Sequence, residues 1–149
     1  MVNLMDDAAF GPGKVEHPRS YFEERDISID CRGPVQINSL SQWGLHIRTY
    51  TMGHNPEHLE QAVYRPLVVE PYAWICSDVV LYNCTIGTRA VVAVGSVVRS
   101  HDVPPYTMVE GNPARIIARY VDGGWYYLDH PEPSPRTKGW KGKWLSSRK

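Results

Sequence analysis

Histidine is the side chain here best suited to moving protons near neutral pH, and His54 has the most telling position. It closes the tetrapeptide Thr51-Met52-Gly53-His54, where a run of short apolar islands gives way to a polar stretch reaching about Arg65. A neutral imidazole there could strip a proton from an attacking hydroxyl or amine. By residue chemistry alone, a solvated loop histidine fits the position better. His58 shares the stretch and is expected to face solvent. His46 falls at an outward corner, a candidate for orienting His54 or touching a neighbouring subunit, and His101 is expected at the surface. His46, His54 and His58 lack the spacing of a metal site, and so do Cys31, Cys76 and Cys84. Three cysteines, an odd number, read as reduced thiols, as in a cytosolic protein.

The chain that positions these groups has 149 residues, enough for one domain with a modest core. Its 16 basic and 16 acidic residues cancel, so no global field draws it to nucleic acid or an anionic membrane. No apolar run approaches the roughly 18 residues of a membrane span. The segment MVNLMDDAAFGPG lacks the basic and apolar regions of a signal peptide, so a cytoplasmic location is expected. With 12 Gly and 12 Pro, the chain must turn often. Three regions follow: a polar N-terminal extension (1–26) with a short helix expected around Arg19–Arg25, a central region (27–119) rich in Val, Ile, Thr and Tyr, and an aromatic, then basic tail (120–149).

The central region repeats every six residues. One series runs Ile37, Trp43, Thr49; a second runs Val69, Ile75, Leu81; after a five-residue step it continues as Ile86, Val92, Val98. All but Thr49 are apolar. Four residues after these starts come small or β-branched side chains: Ser41, Ile47, Ala73, Val79, Thr85, Ala90 and Ser96. A period of six is neither helical nor that of a simple strand. It describes a short strand, a bend and another short strand, three of which close a triangular coil of about 18 residues, with coils stacked roughly 4.8 Å apart. The start residues point into the prism and the small ones fit its corners. An all-β parallel β-helix is therefore expected, with an ordinary Val-rich sheet as the rival.

The run from Ile86 to Ile117 resembles the end of the hexapeptide-repeat acyltransferases, the group that includes maltose, galactoside, serine and exopolysaccharide acetyltransferases. The step Asp102–Pro105 followed by Gly111–Arg115 is its most specific part. The tetrapeptide ending in His54 and the return at Pro66–Ile75 also match, so the likeness covers roughly residues 29–119. It implies a left-handed β-helix, a homotrimer, acetyl-CoA as co-substrate in the groove between neighbouring helices, no metal, and His54 as general base. It places Ser77, Val94 and Gly95 along the pantetheine arm. It places Arg99, Ser100, Arg115 and Arg119 near the phosphates, which a planar guanidinium fork suits. Asp30 and Asn38, with His46, are the acceptor-side candidates. A sugar hydroxyl is the expected acceptor and an amine the alternative; a non-catalytic structural trimer is the reading of another class.

The step Leu81–Thr85 is one residue short of the pattern, and the turn Arg99–His101 reads as one residue long. The run Cys76–Gly87 also resembles the γ-class carbonic anhydrases, which are zinc enzymes. Ser77 and Tyr82 occupy its two histidine positions, which removes the metal site. In the tail, Trp140 and Trp144 alternate with Lys138, Lys141 and Lys143, a pattern that binds sugars, phosphates or single strands, or else folds over the helix end. Trp125, Tyr126 and Tyr127 are expected to pack on the last coil.

Overall fold

The computed structural model describes residues 15–128; Trp140, Trp144 and the lysines around them lie outside the described residues. A short helix, α1 (Arg19–Glu23), precedes the first coil, made of β1 (Val35–Ile37), β2 (Gln42–Trp43) and β3 (Arg48–Tyr50). The hairpin β4 (Met52–Asn55) and β5 (His58–Tyr64) comes next. The second coil is β6 (Leu67–Val69), β7 (Trp74–Ile75) and β8 (Val80–Tyr82), and the third is β9 (Cys84–Ile86), β10 (Val91–Val92) and β11 (Val97–Arg99). The described chain ends with β12 (Thr107–Gly111), β13 (Ala114–Val121) and β14 (Gly124–Tyr127).

The strands stack into three parallel faces: β1-β6-β9 first, β2-β7-β10-β12 second and β3-β8-β11 third. The nine start residues of the repeat all point inward, and none exceeds 5% exposure. Like positions stack on like: Ile37, Val69, Ile86 and Val103 on one face, Trp43, Ile75, Val92 and Val109 on the next, Thr49, Leu81 and Val98 on the third. Thr49 tolerates the interior because its hydroxyl accepts from the Asp30 amide at 3.0 Å and donates to the Ser28 carbonyl at 3.2 Å.

The coil is a residue shorter than the repeat suggested. Val69, Ile86 and Val103 are stacked neighbours spaced 17 apart. The five-residue step is thus a rule of the corner between the third and first faces. It recurs from Val98 to Val103, so the turn at Arg99–His101 is not long. At the short step Cys84, not Thr85, takes the inward place, in register with Leu67, while Thr85 turns outward. The corners adopt left-handed backbone at matching positions: Tyr72, Arg89 and Tyr106; Asp78 and Gly95; Asn83 and Ser100. Asn, Asp and Gly suit that conformation, whereas the bulkier residues hold it because the ladders on both sides fix it.

Both ends of the prism are closed. Phe22 of α1 is fully buried and meets Trp43 edge-on at 5.6 Å. At the far end β13 and β14 continue the second face in antiparallel order. Trp125 packs on Tyr120 at 5.4 Å, and the Tyr127 hydroxyl reaches the Met108 sulfur at 3.9 Å. Among the described residues no helix is long and apolar enough to cross a membrane.

The hairpin replaces the expected loop after His54, and its root is tied to the segment before β1. The buried Asp30 carboxylate accepts from the Thr51 amide at 3.0 Å, the Arg32 amide at 3.1 Å, and Nε and Nη2 of Arg32 at 2.8 Å each. The Thr51 hydroxyl accepts from the Gly33 amide and donates to the Asp30 carbonyl. Burial pushes the Asp30 carboxyl upward, but the Arg32 side chain, the Thr51 and Arg32 amides and the Arg32 charge outweigh it and bring the pKa to about 2.

Two measurements test this account. Ile75→Ala, at the centre of the second-face stack, should lose about 2–5 kcal/mol in denaturant unfolding, because neighbouring coils cannot close on the cavity. A loss below 1 kcal/mol would mean that the stack does not carry the core. Asp30 binds no proton in the fold until the pH approaches 2, so its contribution of about 2 kcal/mol is present above pH ~4 and disappears as pH falls through about 2. Asp30→Asn should remove that contribution at neutral pH and flatten the acid limb of the stability curve.

Candidate active site

His54 lies on β4, at the corner where the third face would turn into the first. The insertion is possible there because ladders above and below fix the coils, so extra chain can leave and return without changing register. In the hairpin Met52 pairs with Tyr64, Gly53 with Val63 and His54 with Ala62. Paired residues share a face and successive residues alternate. A Cβ on Gly53 would lie 2.9 Å from the Tyr82 hydroxyl, so that side of the hairpin rests on the second coil. His54, Met52 and Tyr64 therefore occupy the opposite side. The His54 ring is exposed and has no hydrogen-bond partner among the described residues.

The other candidates divide among three corners. Ser77, Val94 and Gly95 meet at the corner between the second and third faces. Ser77 Oγ accepts from the Leu45 amide at 2.9 Å, and the Gly95 amide donates to the Ser77 carbonyl at 3.0 Å. Val94 is exposed, and Gly95, at φ 73°, has nothing within 4 Å of a built Cβ, so backbone is open to a ligand there. Arg115 belongs to the same corner: it is the second residue of β13, opposite Glu110, and is exposed. His46 is also on this edge, one coil earlier, 3.5 Å from Asp78, and both side chains are largely exposed. A full face separates it from His54.

Arg99 and Ser100 lie at the His54 corner, two coils further along. Arg119 is at the third corner, opposite Thr107 and across the width of the second face from Arg115. Asp30 and Asn38 are engaged in the fold. The Asn38 side chain accepts from the Leu40 amide at 2.9 Å, shaping the first corner of coil one. His58 is exposed, 3.5 Å from Glu60. His101 is only half-exposed; its Nδ1 is 3.0 Å from the Arg99 carbonyl, and its buried Nε2 has no partner. Among the described residues no cluster of three His, Cys, Asp or Glu could hold a metal ion.

The sequence reading passes over Arg32 and Tyr64 and meets Tyr82 only at a lost histidine position; the fold gathers all three around the hairpin root. Arg32 could have been found from Asp30 two residues before it. The other two depend on hairpin register, which no local pattern displays.

Within one chain, then, the Ser77–Gly95 corner and the His54 hairpin stand on opposite edges of the third face. The first presents open backbone edges and an arginine, the second an accessible imidazole.

No family model matches the chain. Among solved structures, a hexapeptide-repeat-containing acetyltransferase from Vibrio cholerae superposes with a TM-score of 0.57 at 35% identity, covering 64% of this chain and 57% of that one. A structure of such an acetyltransferase from Vibrio cholerae O1 biovar eltor, complexed with acetyl coenzyme A, gives 0.55 at 33% identity, covering 64% and 55%. A maltose O-acetyltransferase from Clostridium difficile 630 gives 0.56 at 26% identity, covering 65% and 54%. The chain thus spans little more than half the length of the proteins it matches. By coil geometry and by these likenesses, the chain has the fold of the hexapeptide-repeat acetyltransferases, a left-handed parallel β-helix.

Proposed function

We propose that this protein is an acyltransferase that moves an acetyl group from acetyl-CoA to a hydroxyl of a small acceptor, a sugar or glycan precursor. The observation that carries this reading is the placement of His54: an exposed imidazole on a hairpin whose root is locked into a rigid prism. The similar Vibrio protein binds acetyl coenzyme A and the similar Clostridium protein is a maltose O-acetyltransferase, which supports the donor and the acceptor class.

A His54 ring nitrogen takes the proton of the acceptor hydroxyl as its oxygen attacks the thioester carbonyl. The tetrahedral oxyanion that forms is held by backbone N–H groups. Its collapse breaks the C–S bond, and the imidazolium returns the proton to the departing CoA sulfur. No acyl-enzyme is needed. The open backbone at Val94–Gly95 and the Ser77 corner receive the amide-rich pantetheine arm, with Arg115 beside them for phosphate and Arg99, Ser100 and Arg119 on the flanking corners. Because donor corner and base occupy opposite edges of the third face, the site is completed between chains. His54 of one chain works beside the donor corner of the next, as a homotrimer would arrange them.

His54→Ala should lower kcat by about 10²–10⁴-fold with little change in acetyl-CoA affinity; unchanged turnover would sink the assignment. Free or acetylated CoA at 100 times Kd should stabilise the fold by about 2.7 kcal/mol, read as a thermal shift of several degrees. No shift at millimolar CoA would favour a structural β-helix. Transfer to amino sugars in preference to hydroxyls would move the acceptor to the amine class.

A further inference from the structure

At the root of the hairpin that carries His54 lies a cation that the acyl-transfer scheme does not use. Arg32 is exposed, yet it is fixed: Nε and Nη2 clamp the two oxygens of buried Asp30 at 2.8 Å each, and the same carboxylate holds the Thr51 amide at the foot of β4. The fork is therefore built to the same root as the strand that carries His54. Its remaining N–H groups have no acceptor among the described residues.

The register of the hairpin decides which residues share a side with His54. Gly53 and Val63 turn toward Tyr82, so Tyr64 shares the other side with His54. Tyr64 also lies within electrostatic reach of the guanidinium; the Asp30 hydrogen bond is the larger influence that raises the Arg32 pKa, and the Tyr64 phenol adds to it. His54 and Tyr64 thus lie on one side of the hairpin, with the Arg32 guanidinium within reach of Tyr64 at its root. A guanidinium held by one carboxylate, with donors left over, suits a second planar or tetrahedral anion.

We propose that this side of the hairpin, with Arg32 and Tyr64, binds an anionic group of the acceptor, a carboxylate or a phosphate, and so sets the acceptor class. The proposal rests on the acyl-transfer reading for the identity of its ligand, but Arg32 itself takes no part in the chemistry.

Binding to the full chain in the presence of CoA, measured by calorimetry, tests it with three probes: glucose, glucuronate and glucose 6-phosphate. At least one acidic sugar should bind about 10- to 100-fold more tightly than glucose, the usual effect of a charge-assisted pair. Which of the two binds distinguishes carboxylate from phosphate. Arg32→Gln should erase the preference and Arg32→Lys should restore part of it, since charge returns without the fork. Should Arg32→Gln fail to fold because Asp30 is left unpaired, Tyr64→Ala, at a largely exposed position, should still weaken the acidic probe relative to glucose. Equal binding of all three probes, binding of none, or an acidic preference that survives both Arg32→Gln and Tyr64→Ala would overturn the proposal. His54→Ala separates this site from the catalytic reading: it should slow transfer by about 10²–10⁴-fold and leave acidic-sugar binding intact. If it transfers normally, the base assignment falls and the anion site stands on its own measurements.

Discussion

The stacking of each coil on the last, like residue on like, is the constraint from which the rest of this structure follows. Every face is a parallel ladder, so a change in coil length at one level would shift the inward residues of the next out of their columns. A one-residue slip would turn Ile75 or Val92 toward solvent and a polar neighbour toward the core. The spacing of 17 residues is therefore held across coils, while the side chains outside and at the corners are free to differ.

That rigidity permits the single large departure from the repeat. Ile75 follows Trp43 by 32 residues yet sits beside it on the second face, as Val92 sits beside Ile75 after only 17. The surplus chain is the hairpin. A two-stranded ribbon is marginal by itself in water, and this one is anchored at its root, by Thr51 to Asp30 and Gly33 on one side and by Gly53 against Tyr82 on the other. An imidazole on such a ribbon is exposed enough to meet a substrate while its origin is fixed by buried hydrogen bonds.

Much of this could be read in the sequence, and the reasons for the rest are specific. The nine inward residues were legible because burial demands apolar side chains at a fixed period. The coil length escapes the sequence because a five-residue step looks like an error in a six-residue pattern until it recurs, and counting four residues from Leu81 points to Thr85 where register puts Cys84 inward. His54 could be found from the break in the repeat and the tetrapeptide before it. The division of the other candidates among three corners could not, since assigning a residue to a corner requires the exact coil count. Asp30 was visible as a carboxylate near the start of the helix. Its pairing with Arg32 is local, but its bond with the Thr51 amide joins segments 21 residues apart, and no local pattern carries it.

The same contact shows how fold and chemistry share one group here. An isolated carboxylate as deeply buried as Asp30 would be raised in pKa and would destabilise the chain. Arg32 prevents this, and in doing so loses most of the freedom of a long side chain. The guanidinium that satisfies the fold is thereby already oriented, so an anion meeting its free edge would lose less affinity to ordering than at a mobile surface arginine. The corner bearing the imidazole thus has a preset cation at its base, whereas the corner bearing Val94 and Gly95 offers open backbone. Two edges of one face have been given different chemistry by what the corners carry, with the interior columns unchanged between them.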